Sequence, residues 1–271
     1  MVELTGKLTN RFRYSSILLK QLVKTDFKLR YQNSFLGYLW SLLKPLFLFA
    51  IMYAVFVVVL NVDYGVPYSG VYLLLGIVLW TFFSELTGGA VGSVVGKGDL
   101  MRKLNFPRYV IVLSGSISSL INLALNMAVV IVFMFIARVQ LRWEALIAPF
   151  IFLELLLLGV ALAFFLSAAY VKLRDIGYIW DIILLGLFYA TPIFFPLVLA
   201  PLWAQKIIML SPLAQSIQDL RYVLVSDQTK TIATVYGNQW IRLVPIAITI
   251  VLFITGALYF KHRSKYFAEE I

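Results

Sequence analysis

The chain has 271 residues, of which 62% are hydrophobic, and carries 23 Lys and Arg against 13 Asp and Glu. This apolar content exceeds what one soluble core buries, so it predicts an integral membrane protein. The net charge of +10 does not indicate a nucleic-acid partner, because the basic residues lie mainly at the ends of apolar runs. The sequence has no cysteine, which excludes disulfides, thiolate metal sites and cysteine nucleophiles, and no metal site is expected.

A basic amphipathic helix is predicted over about 18–41, ahead of the first long apolar run. Steps of four residues place Phe27 and Tyr31 on an apolar stripe, beside a basic stripe that contains Lys24 and Lys28. This pattern is typical of a helix that lies in a membrane surface. The alternative is a basic juxtamembrane segment that only sets orientation. A cleavable signal peptide is not expected, because about forty polar and basic residues come first.

Six apolar segments are long enough to cross a bilayer, at about 43–62, 69–95, 109–137, 145–171, 178–199 and 240–260. When both termini are placed in the cytoplasm, most Lys and Arg fall on that side, as the positive-inside rule requires. We therefore predict an all-α integral membrane protein with six spans, forming a single transmembrane domain over 1–271. The segment from about 200 to 239 is apolar but broken by prolines, which favours short re-entrant or interfacial helices before the last span.

Two acids, Glu85 and Glu154, lie inside predicted spans, where a charge costs about 2.5–3.5 kcal/mol on insertion scales. Each must face a partner or cavity or be protonated, and structural or pore-lining roles are favoured over proton coupling. The third span carries a polar stripe at every fourth residue, for which interhelical hydrogen bonding is favoured over a substrate path. The stripe consists of Ser114, Ser118, Asn122 and Asn126.

A short cytoplasmic helix is predicted at 99–106, with Asp99 as its cap and Pro107 after its end. Leu100, Met101 and Leu104 give it an apolar side that suits docking into a partner's groove. A tight turn on the headgroups is the alternative. The neighbouring Gly96-Lys97 pair lacks the other residues of a phosphate-binding loop, so this chain is not expected to bind or hydrolyse ATP.

Aromatic residues are frequent in the first, second and fifth predicted spans. Aromatic faces can stack on sugar rings, although lipid contact and core packing are commoner uses.

Five motifs resemble, in order along the chain, the membrane subunits of type-2 ABC exporters for cell-surface polysaccharides and teichoic acids. They are LVKTDFKLRYQNSFLGYLWSLLKPL at 22–46, LLGIVLWTFFSE at 74–85, GDLMRKLNFPRY at 98–109, YVKLRDIGYIWDI at 170–182 and TPIFFP at 191–196. The resemblance implies a homodimer bound to two cytoplasmic ATPase subunits, which hold the ATP and magnesium, in the bacterial cytoplasmic membrane. Its expected substrate is an undecaprenyl-diphosphate-linked polymer, moved from the inner to the outer leaflet.

The resemblance also assigns roles by position. The interface helix would include Lys24, Phe27, Lys28, Arg30 and Tyr31. Contact with the ATPase would involve Asp99, Leu100, Met101, Arg102, Leu104 and Phe106, together with the pair Arg174 and Asp175 after the fourth span. The candidate substrate path comprises Phe49, Tyr53, Tyr189, Phe194, Phe195 and Glu85.

Two other classes of membrane protein share some of these features. A type-2 ABC permease for a drug or small lipid would share the topology, and only the interface-helix motif argues against it. A membrane-embedded glycosyltransferase or acyltransferase is disfavoured, because the sequence has no Asp-x-Asp pair and no histidine within a span.

Overall fold

The computed structural model describes residues 15–26, 28, 37, 39–104 and 106–270. These residues are 80% helical and contain no strand, which confirms the predicted all-α class for the described chain. Helix α1 covers residues 15–26. The next helices are α2 (Leu39–Met52), which continues as a π-helix (Tyr53–Val59), α3 (Ser69–Val91), α4 (Gly98–Lys103), α5 (Tyr109–Ile136) and α6 (Ala148–Lys172). They are followed by α7 (Ile176–Ala190), α8 (Leu202–Met209), α9 (Pro212–Leu224), α10 (Ile232–Tyr236), α11 (Leu243–Arg263) and α12 (Phe267–Glu270).

Within the described residues, five helical segments are long and apolar enough to cross a membrane. They are Leu39–Val59, Ser69–Val91, Tyr109–Ile136, Trp143–Lys172 and Gln239–Arg263. The chain is thus a multi-pass membrane protein. The remaining predicted span, at 178–199, falls on α7, which has 15 residues. At 1.5 Å per residue α7 is about 22 Å long, against a hydrocarbon core of about 30 Å.

Helix α7 ends nine residues before the predicted end of that span, because of a proline. Thr191 follows the helix with an extended backbone, φ −92° and ψ 140°, and it precedes Pro192. The proline ring clashes with a helical backbone in the residue before it, so the helix stops there. A sixth crossing therefore stays a prediction.

Helix α3 lies at the centre of the bundle and packs against α5, α6, α7 and α9. From Val71 to Trp80 each of its residues is buried. Helix α11 packs along α6, where Gly256 permits a very close approach: a Cβ there would lie 2.6 Å from the Ala161 carbonyl oxygen. Small residues at such crossings let two backbones approach each other in lipid, where packing drives association.

The segment that follows α7 forms the short helices α8, α9 and α10. Helix α9 is buried along its length against α3 and α6. Pro201 and Pro212 lie directly at or before the first residues of α8 and α9, where a proline is tolerated because no helical N–H is lost. The helices are short, as predicted, and a re-entrant path for them stays a prediction.

Helix α4 differs from the predicted helix at 99–106 in its start and its end. Lys97 occupies the cap position and no side chain caps the helix, while Asp99 lies inside the first turn. The carboxylate can still favour the helix by its interaction with the positive end of the helix dipole. The helix ends at Lys103, because Leu104 adopts an extended backbone, φ −127° and ψ 134°. Leu104 and Phe106 therefore follow the helix and are not part of it.

Candidate functional site

The aromatic residues at the ends of α2 and α7 form one cluster, with Phe194 at its centre. The Phe194 ring lies 5.1 Å from Phe56, 5.5 Å from Phe188, 5.7 Å from Tyr189 and 5.4 Å from Phe195, measured between ring centroids. Phe56 belongs to the π-helical end of α2, so the cluster joins two elements that are distant in sequence. Edge and tilted ring pairs at these distances stabilise packing by about 0.5–1.5 kcal/mol each.

The proposed path residues differ in how accessible their rings are. Tyr53 packs on the start of α3, since a Cβ at Gly70 would lie 3.2 Å from the Tyr53 ring. The centroid of the Phe49 ring lies 5.6 Å from that of Tyr53 and 5.7 Å from that of Phe133 in α5. Tyr189 is 61% exposed. Tyr189 thus has the most accessible ring of the candidate path, and the other rings pack against neighbouring side chains.

Glu85 faces α5. Its Oε2 accepts a hydrogen bond from the Asn122 side chain at 3.1 Å. Asn126, one turn further, donates to the main-chain carbonyl of Ser41 in α2 at 3.3 Å. The polar stripe of α5 therefore makes interhelical hydrogen bonds, the role favoured for it from the sequence. Glu85 also lines a cavity of about 200 Å³ that extends to Asp26 and Lys97.

Lys97 connects α1 to the segment that leads into α4. Its Nζ lies 2.7 Å from Asp26 Oδ2 and donates to Ser114 Oγ at 3.3 Å. The three groups join α1, the Val95–Lys97 segment and the start of α5 at one end of the bundle. Neither the sequence spacing nor the charge count singled out Asp26, because its partner is 71 residues away.

Helix α1 covers part of the helix predicted at 18–41, and its position in the membrane surface stays a prediction. Lys24 is exposed on α1, and Lys28 is exposed beyond it. Phe27, Arg30 and Tyr31 lie outside the described residues. Leu22 is buried in the main core, so α1 packs against the bundle on one side and presents lysines on the other.

The candidate ATPase-contact residues divide into buried and exposed ones. Met101 and Phe106 are buried, whereas Leu104 is 38% exposed. The exposed side of this segment is basic, with Arg102 and Lys103. Asp99 is exposed and Leu100 is half-buried. Helix α12 packs against α4, and its Phe267 is buried.

Arg174 and Asp175 are exposed between α6 and α7. The Arg174 guanidinium lies 5.2 Å from the centroid of the Tyr170 ring, a cation–π contact at the end of α6. Helix α5 runs from the α4 end of the bundle to the opposite end, and α6 runs back. Arg174 and Asp175, which follow α6, therefore lie at the same end of the bundle as α4.

Sequence reasoning missed the most buried charged group of the described chain. Arg221 on α9 has no exposed surface. Its Nε donates to the Tyr72 carbonyl oxygen at 2.9 Å, its Nη2 to the Ile193 carbonyl oxygen at 2.7 Å, and its Nη1 to the carbonyl oxygen of Pro192. The guanidinium also lies 3.7 Å from the centre of the Tyr72 ring. One side chain thus ties α9 to α3 and to the turn after α7.

Two tyrosines complete this network. Tyr72 Oη donates to Gln218 Oε1 at 2.9 Å, and Tyr64 Oη donates to the Phe194 carbonyl oxygen at 2.7 Å. Burial raises the pKa of Tyr64, which lies in the loop before α3, to about 12, so its hydroxyl stays protonated and remains a donor. In the sequence, this network was indicated only by the basic residue Arg221 within the apolar segment between the last two predicted spans.

Comparison with known proteins gives a family and three relatives. The family described as "ABC-2 type transporter" matches residues 17–225. The chain is 27% identical over 275 residues to an O-antigen export system permease protein RfbA of Myxococcus xanthus, with 100% of both chains covered. It is 29% identical over 217 residues to a protein of the same description in Klebsiella pneumoniae, covering 79% of this chain and 83% of the relative. A second such Klebsiella protein is 27% identical over 97% of this chain and 98% of the relative.

Proposed function

The chain belongs to the ABC-2 type transporter family, and from that premise we propose that it is the membrane subunit of an exporter for a lipid-linked cell-surface polysaccharide. As a permease subunit it is a transport component, and ATP hydrolysis belongs to a separate subunit. The observation that carries the substrate class is the match along the whole chain to a protein named as an O-antigen export permease. An undecaprenyl diphosphate carrier is the finer part of the proposal.

The proposed assembly is a homodimer with two ATPase subunits on the cytoplasmic side. Its support is the uncovered surface of two segments: Leu39–Val59 is almost entirely unburied within the described chain, and Trp180 is the buried residue of α7. Helices so poorly covered by their own chain have room for a second copy, for substrate or for lipid. We propose that they line the path and that α7 with its following turn completes a sixth crossing.

The proposed ATPase contact is the basic, partly apolar surface of α4 and the residues that follow it. Arg102 and Lys103 are exposed next to Leu104, which suits a groove with an apolar floor and acidic rim. This placement puts α4, Arg174 and both termini in the cytoplasm, in agreement with the distribution of Lys and Arg. The short helices α8, α9 and α10 then lie at the outer end, where we propose that they close the path.

Transport by the purified complex tests this function. The chain and its ATPase partner are placed in vesicles with the ATPase sites outside, and undecaprenyl-diphosphate-linked polysaccharide is included in the membrane. We expect ATP to move the polymer into the lumen, where an added glycosidase no longer degrades it. A non-hydrolysable ATP analogue is the control. ATP-driven movement of a fluorescent short-chain lipid or a drug, with none of the polymer, would contradict the proposal and support the alternative permease class.

A further inference from the structure

A cavity of about 620 Å³ lies among α6, α9, α10 and α11, away from the aromatic cluster. Its charged lining comprises three acids and one base: Glu144, Glu154, Asp219 and Arg242. The cavity lies at the end of the bundle opposite α4, because α6 begins there and runs back toward the Arg174 end. None of these four side chains belongs to the candidate substrate path.

Several buried polar atoms of this cavity have no hydrogen-bond partner among the described residues. They are Glu154 Oε1, Gln215 Oε1, Asp219 Oδ1, Arg242 Nε and Thr249 Oγ1. Gln215, Asp219 and Thr249 are 2%, 6% and 1% exposed, so bulk water does not satisfy them. Each unsatisfied buried group costs about 1–3 kcal/mol, more if charged, so five around one cavity indicate that water or a bound ligand hydrogen-bonds to them.

The charges indicate what the occupant carries. Gln215 Nε2 donates to Asp219 Oδ2 at 2.7 Å, which leaves the other Asp219 oxygen for a ligand donor. Burial raises the pKa of the Asp219 carboxyl above its usual value, because the charged form loses water, and a bound cation would offset that loss. Arg242 lines the same cavity, so an anionic group can bind beside the cationic one.

The apolar part of the lining faces the membrane. Phe150 is 71% exposed and Leu153 is 50% exposed, and Ile250 of α11 is exposed as well. Glu154 and Thr249 each lie six residues after the start of their helices, about 9 Å below it at 1.5 Å per residue. Both polar groups thus lie inside this end of the bundle, beside the exposed apolar side chains. The opening is therefore lipid-facing, with polar groups behind it.

We propose that this cavity binds a phospholipid with a primary ammonium headgroup, such as phosphatidylethanolamine. Its ammonium donates to Glu154 and Asp219, its phosphate accepts from Arg242, and its acyl chains lie along Phe150, Leu153 and Ile250. The proposal needs the membrane setting and not the exported substrate, so failure of the polysaccharide assay would leave it standing.

Lipid binding to the detergent-purified chain, followed by native mass spectrometry, tests the proposal. Phosphatidylethanolamine, phosphatidylcholine and phosphatidylglycerol with identical acyl chains are added in turn. We expect phosphatidylethanolamine to bind about tenfold or more tightly than the other two, the difference that charged hydrogen bonds of 1.5–3 kcal/mol produce. Equal affinity of the three lipids for the unaltered chain would overturn the proposal. Binding of free ethanolamine as tightly as the lipid would overturn it as well, by showing that the acyl chains contribute nothing.

Variants locate the site. Glu154→Gln with Asp219→Asn keeps the side-chain volumes and should abolish the preference for phosphatidylethanolamine, whereas Arg242→Gln should weaken all three phospholipids about equally. Asp227→Asn is the matched control, since Asp227 is an exposed acid at the same end of the bundle and outside the cavity. Retention of the full preference in the double variant would overturn the assignment. Because that preference is a ratio within one preparation, it does not depend on how much protein folds.

Discussion

Gly76 leaves the space that the Arg221 guanidinium occupies. A Cβ at position 76 would lie 2.0 Å from Arg221 Nη2, 2.8 Å from its Cζ and 3.1 Å from the Ile193 carbonyl oxygen. The missing side chain of a residue in α3 thus permits a buried arginine of α9 to reach three main-chain carbonyl oxygens. Because those carbonyls belong to α3 and to the turn after α7, the packing of α9 against both elements depends on this pair of residues.

Gly76→Ala should destabilise the protein. The added methyl group would force the guanidinium away from its acceptors, and overpacking of this kind costs about 1–3 kcal/mol, with further loss from unsatisfied carbonyls. The measurement is the thermal unfolding midpoint in detergent. Gly89→Ala is the control in the same helix, since a Cβ there meets nothing within 4 Å. If both variants unfold at the same temperature, the packing of Gly76 against Arg221 is unimportant for stability.

Lys97→Met should lower ATP-driven export. The ion pair with Asp26 joins α1 to the segment before α4, and both side chains are partly exposed, 21% and 26%, so the pair is worth about 1 kcal/mol or less. We expect a fall of about two- to fivefold, which corresponds to roughly 0.4–1 kcal/mol.

The exchanged pair Lys97→Asp with Asp26→Lys should restore part of the export that Lys97→Met loses, because the attraction is rebuilt with the charges reversed. Lys261→Met removes another exposed lysine near the same end and serves as control. The measurement is the export rate of each variant at matched expression. An exchanged pair that transports less than Lys97→Met would argue against a role for the ion pair itself.

Leu104→Ser and Met101→Ser should have different effects. Leu104 is 38% exposed, so its loss should weaken co-purification of the ATPase while the unfolding midpoint of the subunit stays the same. Met101 is buried, and removing a buried side chain of this size costs about 2–5 kcal/mol, so that variant should itself unfold earlier. Normal ATPase recovery with Leu104→Ser would exclude this residue from the contact.

Tyr189→Ala should slow export with only a small loss of stability, because its ring is 61% exposed at the edge of the aromatic cluster and contacts Phe188 and Phe194 there. A stacked ring contributes about 1–3 kcal/mol in the comparable case of nucleic-acid bases, and a sugar contact should not exceed that. Phe194→Ala is the contrasting variant: it removes four ring contacts and should destabilise the protein by about 3 kcal/mol. Polymer delivered per complex and the unfolding midpoint are both measured. Unchanged delivery by Tyr189→Ala would assign this ring to lipid contact.

Local patterns predicted much of the architecture. Apolar runs of span length coincide with five long helices, because a membrane-crossing helix must be apolar over consecutive residues. The prolines of the segment after α7 predicted its short helices, because a proline interrupts a helix within its own stretch of chain. The predicted cap at Asp99 was wrong, since the choice of helix start depends on how the chain leaves α3 through Val95–Lys97.

The sequence by itself determined that this protein is an all-helical membrane protein of a recognisable transporter family, because hydropathy and motif order are properties of neighbouring residues. Only the tertiary structure decided which polar side chains meet. Arg221 and Tyr72 are 149 residues apart, and Glu154 and Asp219 reach one cavity from two helices. The physical reason is that a buried charge is tolerated only where several distant segments supply its partners, and one-dimensional periodicity does not record how those segments pack.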